Sequence, residues 1–397
     1  MTRAGLKAIT IRSVQVYPLA LPLVERLGTS FGNEPFKAAL LVRLDTEEGV
    51  TGWGETSAEI NPGYSAETMG TSLHVLQEFL VPRVLGKTVD SATAIPPLLA
   101  QVRGHPLAKH GLEAAVWDAL ARRNDLPLAQ LFAHYLPAGH EPRERALVGV
   151  SIGIQATVAD TLRIIEKRLA EGYGRIKLKI KPGWDLKLAR GVRAALPDTT
   201  LMLDANSAYT LADAEHLRQL DEFNLLMVEQ PLAWDDIYEH SKLQPAMTSD
   251  ICLDESIHSV NDARLAIELG ACRIINLKPA RVSGYTESLA IYRFCVDHEV
   301  PLWIGGLLET GVGRAANLAF ASLPGVTLPS DISATSRYYD PDITEPAFVL
   351  ESGSSIRVPQ GPGIGVELQP DRLREAMQRW RDRYPYRVPA LQGAPPL

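Results

Sequence analysis

Five short runs decide the fold: Ile176-Lys177-Leu178-Lys179, Leu203-Asp204-Ala205-Asn206, Val228-Glu229-Gln230-Pro231, Leu253-Asp254-Glu255-Ser256 and Ile275-Asn276-Leu277-Lys278. Each is a short apolar run closing on polar or charged residues. Lys179, Asp204, Glu229, Asp254 and Lys278 stand at almost equal intervals along the chain. A charged residue therefore recurs once per strand-plus-helix unit. Around these runs the same alternation predicts strands at 148–154, 175–181, 201–206, 226–230, 251–256, 273–279, 300–306 and 326–332, each followed by a helical stretch. Eight such units predict an α/β fold, a (β/α)8-type modified TIM barrel over residues 145–334.

The flanking segments read differently. Residues 8–19 are strand-like, and 37–45 with 50–55 form a hairpin around Thr46-Glu47-Glu48-Gly49. From Ala66 to Asn124 the periodicity is helical, clearest where Leu112, Ala115, Val116, Ala119 and Leu120 share one face. These features predict an α+β capping domain over 1–140. It is completed by about 335–397, with strands near 347–358, a turn at Gly361-Pro362-Gly363 and a helix over 370–383. Two polar loops, 22–32 with Phe31 and 56–64 with Tyr64, are expected to overhang the barrel mouth.

Composition narrows the partners. A chain of 397 residues is too long for one ordinary domain. It is 46% hydrophobic and 22% charged, which is globular usage. With 40 basic and 47 acidic residues the net charge is -7, which excludes the basic footprint of a nucleic-acid binder. No apolar run reaches the roughly 18 residues that a membrane span needs, so a small molecule is the expected partner. Cys252, Cys272 and Cys295 sit in apolar runs and read as reduced core residues of a cytoplasmic protein. The chain opens on strand-like alternation rather than a signal-peptide core, which agrees with that location.

The chemistry follows from what ends each strand. Barrel enzymes carry their catalytic groups at the C-terminal ends of strands. Asp204, Glu229 and Asp254 stand on adjacent strands there. Two charges ~4 Å apart at an effective dielectric of ~20 interact by roughly 4 kcal/mol. Three such acids call for a cation. An all-oxygen donor set selects Mg²⁺ first and Mn²⁺ second. Lys179 and Lys278 flank the acids on the second and sixth strands, placing a bound carboxylate between two amines. That arrangement suits 1,1-proton transfer: one lysine takes the proton next to a carboxylate, giving an enediolate, and the other returns it on the opposite face. A leaving group on the β-carbon turns the same intermediate into an elimination. The base must be neutral near pH 7, and the metal, Lys177 and Arg281 are expected to press its pKa downward by like charge. Asn206 shares the strand face of Asp204 and reads either as a hydrogen-bond partner of the metal site or as a turn former. The histidines show no ligand spacing, and His105, His110 and His216 read as helix-surface residues.

Taken together, Lys-x-Lys, Asp-x-Asn, Glu-Gln-Pro, Asp-Glu-Ser and the lone Lys278 resemble the enolase superfamily. Val150-Ser151-Ile152-Gly153, the run Lys177 to Asp185, Lys278-Pro279-Ala280-Arg281 and Gly305-Gly306-Leu307-Leu308-Glu309-Thr310-Gly311 are similar to its N-succinylamino acid (N-acylamino acid) racemase / o-succinylbenzoate synthase group. The resemblance implies Mg²⁺ held by Asp204, Glu229 and Asp254, with Lys179 and Lys278 as the acid/base pair. It also implies that Ser151, Gly306 and Leu308 meet the acyl part of the substrate, that the capping loops set specificity, and that the chain forms a homo-oligomer. Dipeptide epimerases of the superfamily carry Asp-x-Asp at the eighth strand to hold a substrate amine; here the stretch is Asp331-Ile332-Ser333, which argues against a free amine. A muconate-type cycloisomerase would use the same lysines. A non-catalytic binding barrel would have lost an acid or a base, and none is missing.

Overall fold

The computed structural model describes residues 5–25 and 35–384. Near the N-terminus, β1 (Ile9–Pro22), β2 (Phe36–Thr46) and β3 (Thr51–Thr56) form an antiparallel meander, with the short β4 (Thr88–Val89) on the outer edge of β1. The tight β2–β3 turn closes on Gly49 in the left-handed region, a conformation that glycine adopts without penalty. Helix α1 (Pro106–Arg123) lies directly on β3. A Cβ at Gly52 or Gly54 would collide with the Ala115 or Gly111 carbonyl, so these two glycines let the helix backbone touch the sheet. Asp118, buried in α1, accepts from the Trp53 and Ile364 amides at 2.8 and 2.7 Å.

The second sheet is entirely parallel. It comprises β5 (Val150–Ile152), β6 (Arg175–Lys179), β7 (Thr200–Asp204), β8 (Val228–Glu229), β9 (Ile251–Leu253), β10 (Ile274–Leu277) and β11 (Leu302–Ile304), hydrogen-bonded in chain order. The eighth predicted strand, 326–332, is not a strand; a closing segment takes its place. On one side its Thr327 and Asp331 amides donate to the Leu302 and Ile304 carbonyls. On the other, Ser330 donates to Leu147 and accepts from Gly149, with a single parallel bridge between Val148 and Ser330. Pro329 sits mid-segment without an amide donor, so a continuous ladder cannot form. The barrel is nonetheless closed by backbone bonds.

Helices α2 (Val158–Glu171), α3 (Leu186–Ala195), α4 (Val260–Glu268), α5 (Tyr285–Asp297) and α6 (Gly311–Ala321) follow β5, β6, β9, β10 and β11. In α2, Thr157 caps the first turn by accepting from Asp160 N, and the left-handed Gly172 ends the last. After β7 and β8 the predicted helical stretches shrink to single α-turns, Ala214–Leu217 and His240–Leu243, beside 3₁₀ turns. The last helix, α7 (Pro370–Arg383), packs on β1.

One histidine differs from its sequence reading. His110 is buried within α1 with its ring 5.1 Å from that of Tyr285, and burial pulls its pKa down to about 3. His216 is half-buried and bonds Asp185 at 2.7 Å. All three cysteines are buried and unpaired, and burial pushes each thiol up. Among the described residues no helix is long and apolar enough to cross a membrane.

Candidate active site

The barrel interior has an apolar floor of Met202, Met227, Cys252, Ile274 and Trp303. Charge begins directly above it. Arg175, Lys177 and Lys179 are alternate residues of β6 and therefore share one face, forming a cationic column that climbs toward the mouth. At its foot, Arg175 and Lys177 lie 5.5 and 5.0 Å from the Trp303 ring centre. Both also grip Asp331: Arg175 through Oδ1 at 2.6 Å and Lys177 through Oδ2 at 2.6 Å. Ser151 Oγ donates to the same Asp331 Oδ2 at 2.9 Å.

Higher up, β-sheet register aligns the acids. Lys179 is paired with Asp204, Asp204 with Glu229, and Glu229 with Cys252, two residues before Asp254. Lys177 reaches Glu229 Oε2 at 3.0 Å and Asp204 Oδ2 at 3.2 Å. Lys179 donates to Asp204 Oδ2 at 2.6 Å and to Asn206 Oδ1 at 2.5 Å. Across the barrel, Lys278 donates to Asp254 Oδ2 at 2.9 Å, Arg281 pairs with Asp254 Oδ1, and Asn276 donates to Glu229 Oε1 at 2.7 Å. Three strands (β7, β8, β9) separate β6 from β10 on one side. On the other stand β11, the closing segment and β5. Lys179 and Lys278 thus project from opposite walls.

The rim backbone is bent to present these groups. Asn206 and Gln230, which follow the acids of β7 and β8, have φ of 42 and 37 degrees. Non-glycine residues visit this left-handed region rarely, asparagine most readily among them. Gln230 Oε1 accepts from the Asp254 and Ser256 amides, and its Nε2 donates to Ser256 Oγ at 2.7 Å, so the end of β8 fixes the end of β9. Gly305 clears the way for Lys278: a Cβ there would stand 2.6 Å from the Lys278 Cε. At Gly306 it would stand 2.5 Å from the Asp331 carbonyl oxygen.

Electrostatics follow from burial and pairing. Burial and then the neighbouring Asp204 push Glu229 up to about 8, with Asp254 adding to the rise and Lys177 opposing it. Burial would also raise Asp204, Asp254 and Asp331. For each the adjacent cations outweigh it: Lys179 and Lys177, Lys278 and Arg281, and Arg175 and Lys177 hold the three below the usual carboxylate range. The sequence led us to expect a lysine pressed downward by like charge. Burial does pull Lys278 down, but Asp254 and Tyr64 outweigh both burial and Arg281, and its ammonium stands above the ordinary range. Lys177 likewise stands high, because burial is outweighed by Asp331, Glu229 and Asp204, whose charge absorbs its own.

The structure brings together Lys177, Lys179, Asp204, Asn206, Glu229, Asp254, Lys278, Arg281, Asp331 and Ser151, and with them Tyr64, whose hydroxyl bonds Lys278, Arg281 and Asp254. Gly306 and Leu308 line the rim after β11; Leu308 also has a left-handed backbone, and its carbonyl accepts from Tyr339 OH at 2.5 Å. Phe31 lies outside the described residues. Sequence reasoning missed Asn276, Gln230 and Glu255. Asn276 carried a usable signal, standing two residues before Lys278 on the same strand face. Glu255 is buried; its Oε1 accepts from Asn206 Nδ2 at 2.9 Å, and burial followed by Asp254 and Asp204 pushes it up to about 7.

As the side chains stand, the described residues contain no group of three or more His, Cys, Asp or Glu arranged as a metal centre, because amines and a guanidinium rest on the acid oxygens. The chemistry of the donor set fits a hard divalent ion all the same. Asp204, Glu229 and Asp254 are buried, offer only oxygens, and act on one another's ionisation.

Comparison with known proteins agrees with this arrangement. Residues 160–372 match the model of the enolase C-terminal domain-like family, and residues 9–133 match that of the mandelate racemase / muconate lactonizing enzyme N-terminal domain. The chain is 48% identical over 361 residues to the o-succinylbenzoate synthase of Geobacillus kaustophilus, covering 91% of this chain and 94% of that protein. It is 47% identical over 359 residues to the N-succinylamino acid racemase of Thermus thermophilus, covering 90% and 95%. The crystal structure of an enolase superfamily member from Listeria innocua superposes with a TM-score of 0.88 at 38% identity, over 93% of this chain and 97% of that one.

Proposed function

Because the chain belongs to the enolase superfamily, we propose that it is a Mg²⁺-dependent racemase of N-succinyl and related N-acyl amino acids, able also to form o-succinylbenzoate by β-elimination of water. The observation that carries this reading is the placement of Lys179 and Lys278 on opposite barrel walls, with Asp204, Glu229 and Asp254 between them. In it, Lys179 and Lys278 each face one side of the substrate α-carbon. One removes the α-proton and the other delivers a proton to the opposite face, inverting the centre through an enediolate. Asp204, Glu229 and Asp254 would hold the divalent ion, Mg²⁺ or in its place Mn²⁺. When bound, that ion supplies positive charge where negative charge develops on the substrate carboxylate. Arg281 secures Asp254 and Tyr64 beside Lys278, and Lys177 neutralises Asp204 and Glu229 from below.

The acyl preference rests on Asp331. Both its oxygens are engaged, by Arg175 on one side and by Lys177 and Ser151 on the other, so two barrel cations already compensate its charge and a substrate ammonium would have to compete with them. This favours an N-acylated substrate over a dipeptide. Ser151 and the rim at Gly306 and Leu308 would meet the acyl group, with Tyr64 covering it. The same reading includes a cytoplasmic location and a homo-oligomer, which light scattering of the purified chain tests.

The direct experiment is to incubate N-succinyl-L- and D-amino acids in D₂O with Mg²⁺ and follow deuterium at the α-carbon. Both enantiomers should exchange and interconvert. Lys179→Ala and Lys278→Ala should each abolish racemisation while one enantiomer still exchanges. No exchange by the wild-type chain, unaffected by EDTA, rejects the reading.

A further inference from the structure

We propose that Glu255 is a positioning residue that dictates which end of the Asn206 amide faces Lys179, and so holds the Lys179 amine in place; this rests on the racemase reading above. The observation is a relay across three strands. Lys179 Nζ donates to Asn206 Oδ1 at 2.5 Å, and Asn206 Nδ2 donates to Glu255 Oε1 at 2.9 Å. Glu255 is 3% exposed, and its other oxygen, Oε2, is buried without a hydrogen-bond partner.

The two ends of an asparagine side chain are nearly identical in shape but opposite in function, one a double donor and the other an acceptor. With the amide reversed, its NH₂ would confront the Lys179 ammonium donor to donor, and in the neutral amine it would occupy the lone pair that takes the proton. The backbone does not choose between the two orientations: Asn206 N is committed to Asp204 Oδ1 at 3.0 Å whichever way the side-chain amide points. Glu255 makes the choice, because the carboxyl oxygen facing Asn206 must be met by the NH₂ end. The carbonyl is thereby turned toward Lys179. The left-handed backbone of Asn206 sets the bend of the chain that brings its side chain between β6 and the residue after Asp254. Lys278 has no corresponding link to Glu255 through hydrogen bonds; its acceptors are Asp254 and Tyr64.

The inference therefore makes an asymmetric claim. Glu255→Gln presents both a donor and an acceptor to Asn206, frees the amide to reverse, and loosens Lys179, while the hydrogen bonds that hold Lys278 to Asp254 and Tyr64 stay in place and Lys278 senses Glu255 only through space. In D₂O exchange, E255Q should slow the enantiomer whose α-proton is taken by Lys179 by about 10- to 100-fold, the scale of a small misplacement of a reacting group, and leave the other within about twofold. Lys179→Ala identifies which enantiomer that is. Asn206→Ala should reproduce the same asymmetry, and E255Q should add nothing to it in the double variant. Equal slowing of both enantiomers, or an E255Q effect that persists in full beside Asn206→Ala, overturns the proposal while leaving the racemase reading intact. A wild-type chain that exchanges neither enantiomer removes both.

Discussion

Tyr64 lays its ring over the Lys278 amine, 4.2 Å from ring centre to Nζ, while its hydroxyl accepts from the same nitrogen at 3.0 Å. Tyr64 belongs to the loop after β3, so this contact carries the N-terminal segment into the barrel mouth. The hydroxyl also meets Arg281 at 3.0 Å and Asp254 at 3.2 Å, and burial followed by Asp254 keeps it un-ionised by pushing its pKa up to about 12. Ring and hydroxyl can be separated. Tyr64→Phe keeps a cation–π contact of about 0.5–2 kcal/mol and loses only the polar links. Tyr64→Ala loses both and opens the site to water. We expect kcat/KM for an N-succinyl amino acid to fall about tenfold in the first and about a hundredfold in the second, each tenfold being about 1.4 kcal/mol. Steady-state kinetics with matched Mg²⁺ checks this, and equal losses in the two variants would reject a role for the ring.

Asp331 bridges the foot of the cationic column. Removing one member of a buried ion network leaves an uncompensated charge, which costs about 3–5 kcal/mol. Asp331→Asn strands Arg175 against the apolar floor, since no other acid among the described residues bonds it, while Lys177 keeps Glu229 and Asp204. Urea denaturation should report a loss of that order. A change below about 1 kcal/mol, the size of an exposed pair, would show that water reaches the column.

The five charged strand ends were legible because charge at the close of an apolar run, repeated at a near-constant interval, has no explanation in surface helices. What the pattern could not carry was the geometry beyond each strand. Glu255 follows Asp254, and strict alternation assigns it to the far face. The chain has already left the strand there, with Ile257 N bonded back to the Asp254 carbonyl, and parity no longer holds. The rise of Lys177 and Lys278 was not legible for a related reason. Like-charge neighbours are visible in sequence, whereas the acids that reach Lys177 from the closing segment and Lys278 from the end of β9 become neighbours only on folding. The eighth strand was overread because Val326-Thr327-Leu328 looks like any other apolar run until Pro329 removes a donor. His110 looked like a surface residue because the face of α1 opposite β3 is covered too, by the barrel helix that carries Tyr285.

Glu113 offers a pH measurement away from the site. It is buried in α1 and accepts from Thr286 N at 3.1 Å, at the start of α5. Burial, opposed by the bonds to Thr286, pushes its carboxyl from the ordinary 4.5 up to about 7. A carboxyl raised in the folded state binds more protons folded than unfolded between those values. Its stabilising contribution is therefore complete below about pH 4.5 and is lost as pH rises through about 7. The shift corresponds to about 3 kcal/mol. Glu113→Gln removes the titration and keeps an acceptor. The stability of wild type minus that of the variant, from urea unfolding, should fall by that order between pH 4.5 and pH 8. A difference that stays constant would mean that Glu113 titrates normally.

Metal binding should be visible without any substrate. If Asp204, Glu229 and Asp254 are the ligands, Mg²⁺ binds the folded chain alone, because the unfolded chain scatters three acids that come from three separate strand ends. Linkage then predicts a stabilisation of about 2.7 kcal/mol at a Mg²⁺ concentration about a hundred times the Kd, growing by about 1.4 kcal/mol for each further tenfold. Ca²⁺, which prefers more ligands and longer bonds, should stabilise less at equal concentration. Asp204→Asn, Glu229→Gln and Asp254→Asn keep the shape of each side chain and remove one negative charge, and each should abolish the response to Mg²⁺ in unfolding experiments. The control is Asp331→Asn, also a buried acid of the barrel, which should keep its response because Arg175 and Lys177 already hold both its oxygens. Equal loss of the response in all four variants would point to general disruption of the barrel rather than to a bound ion.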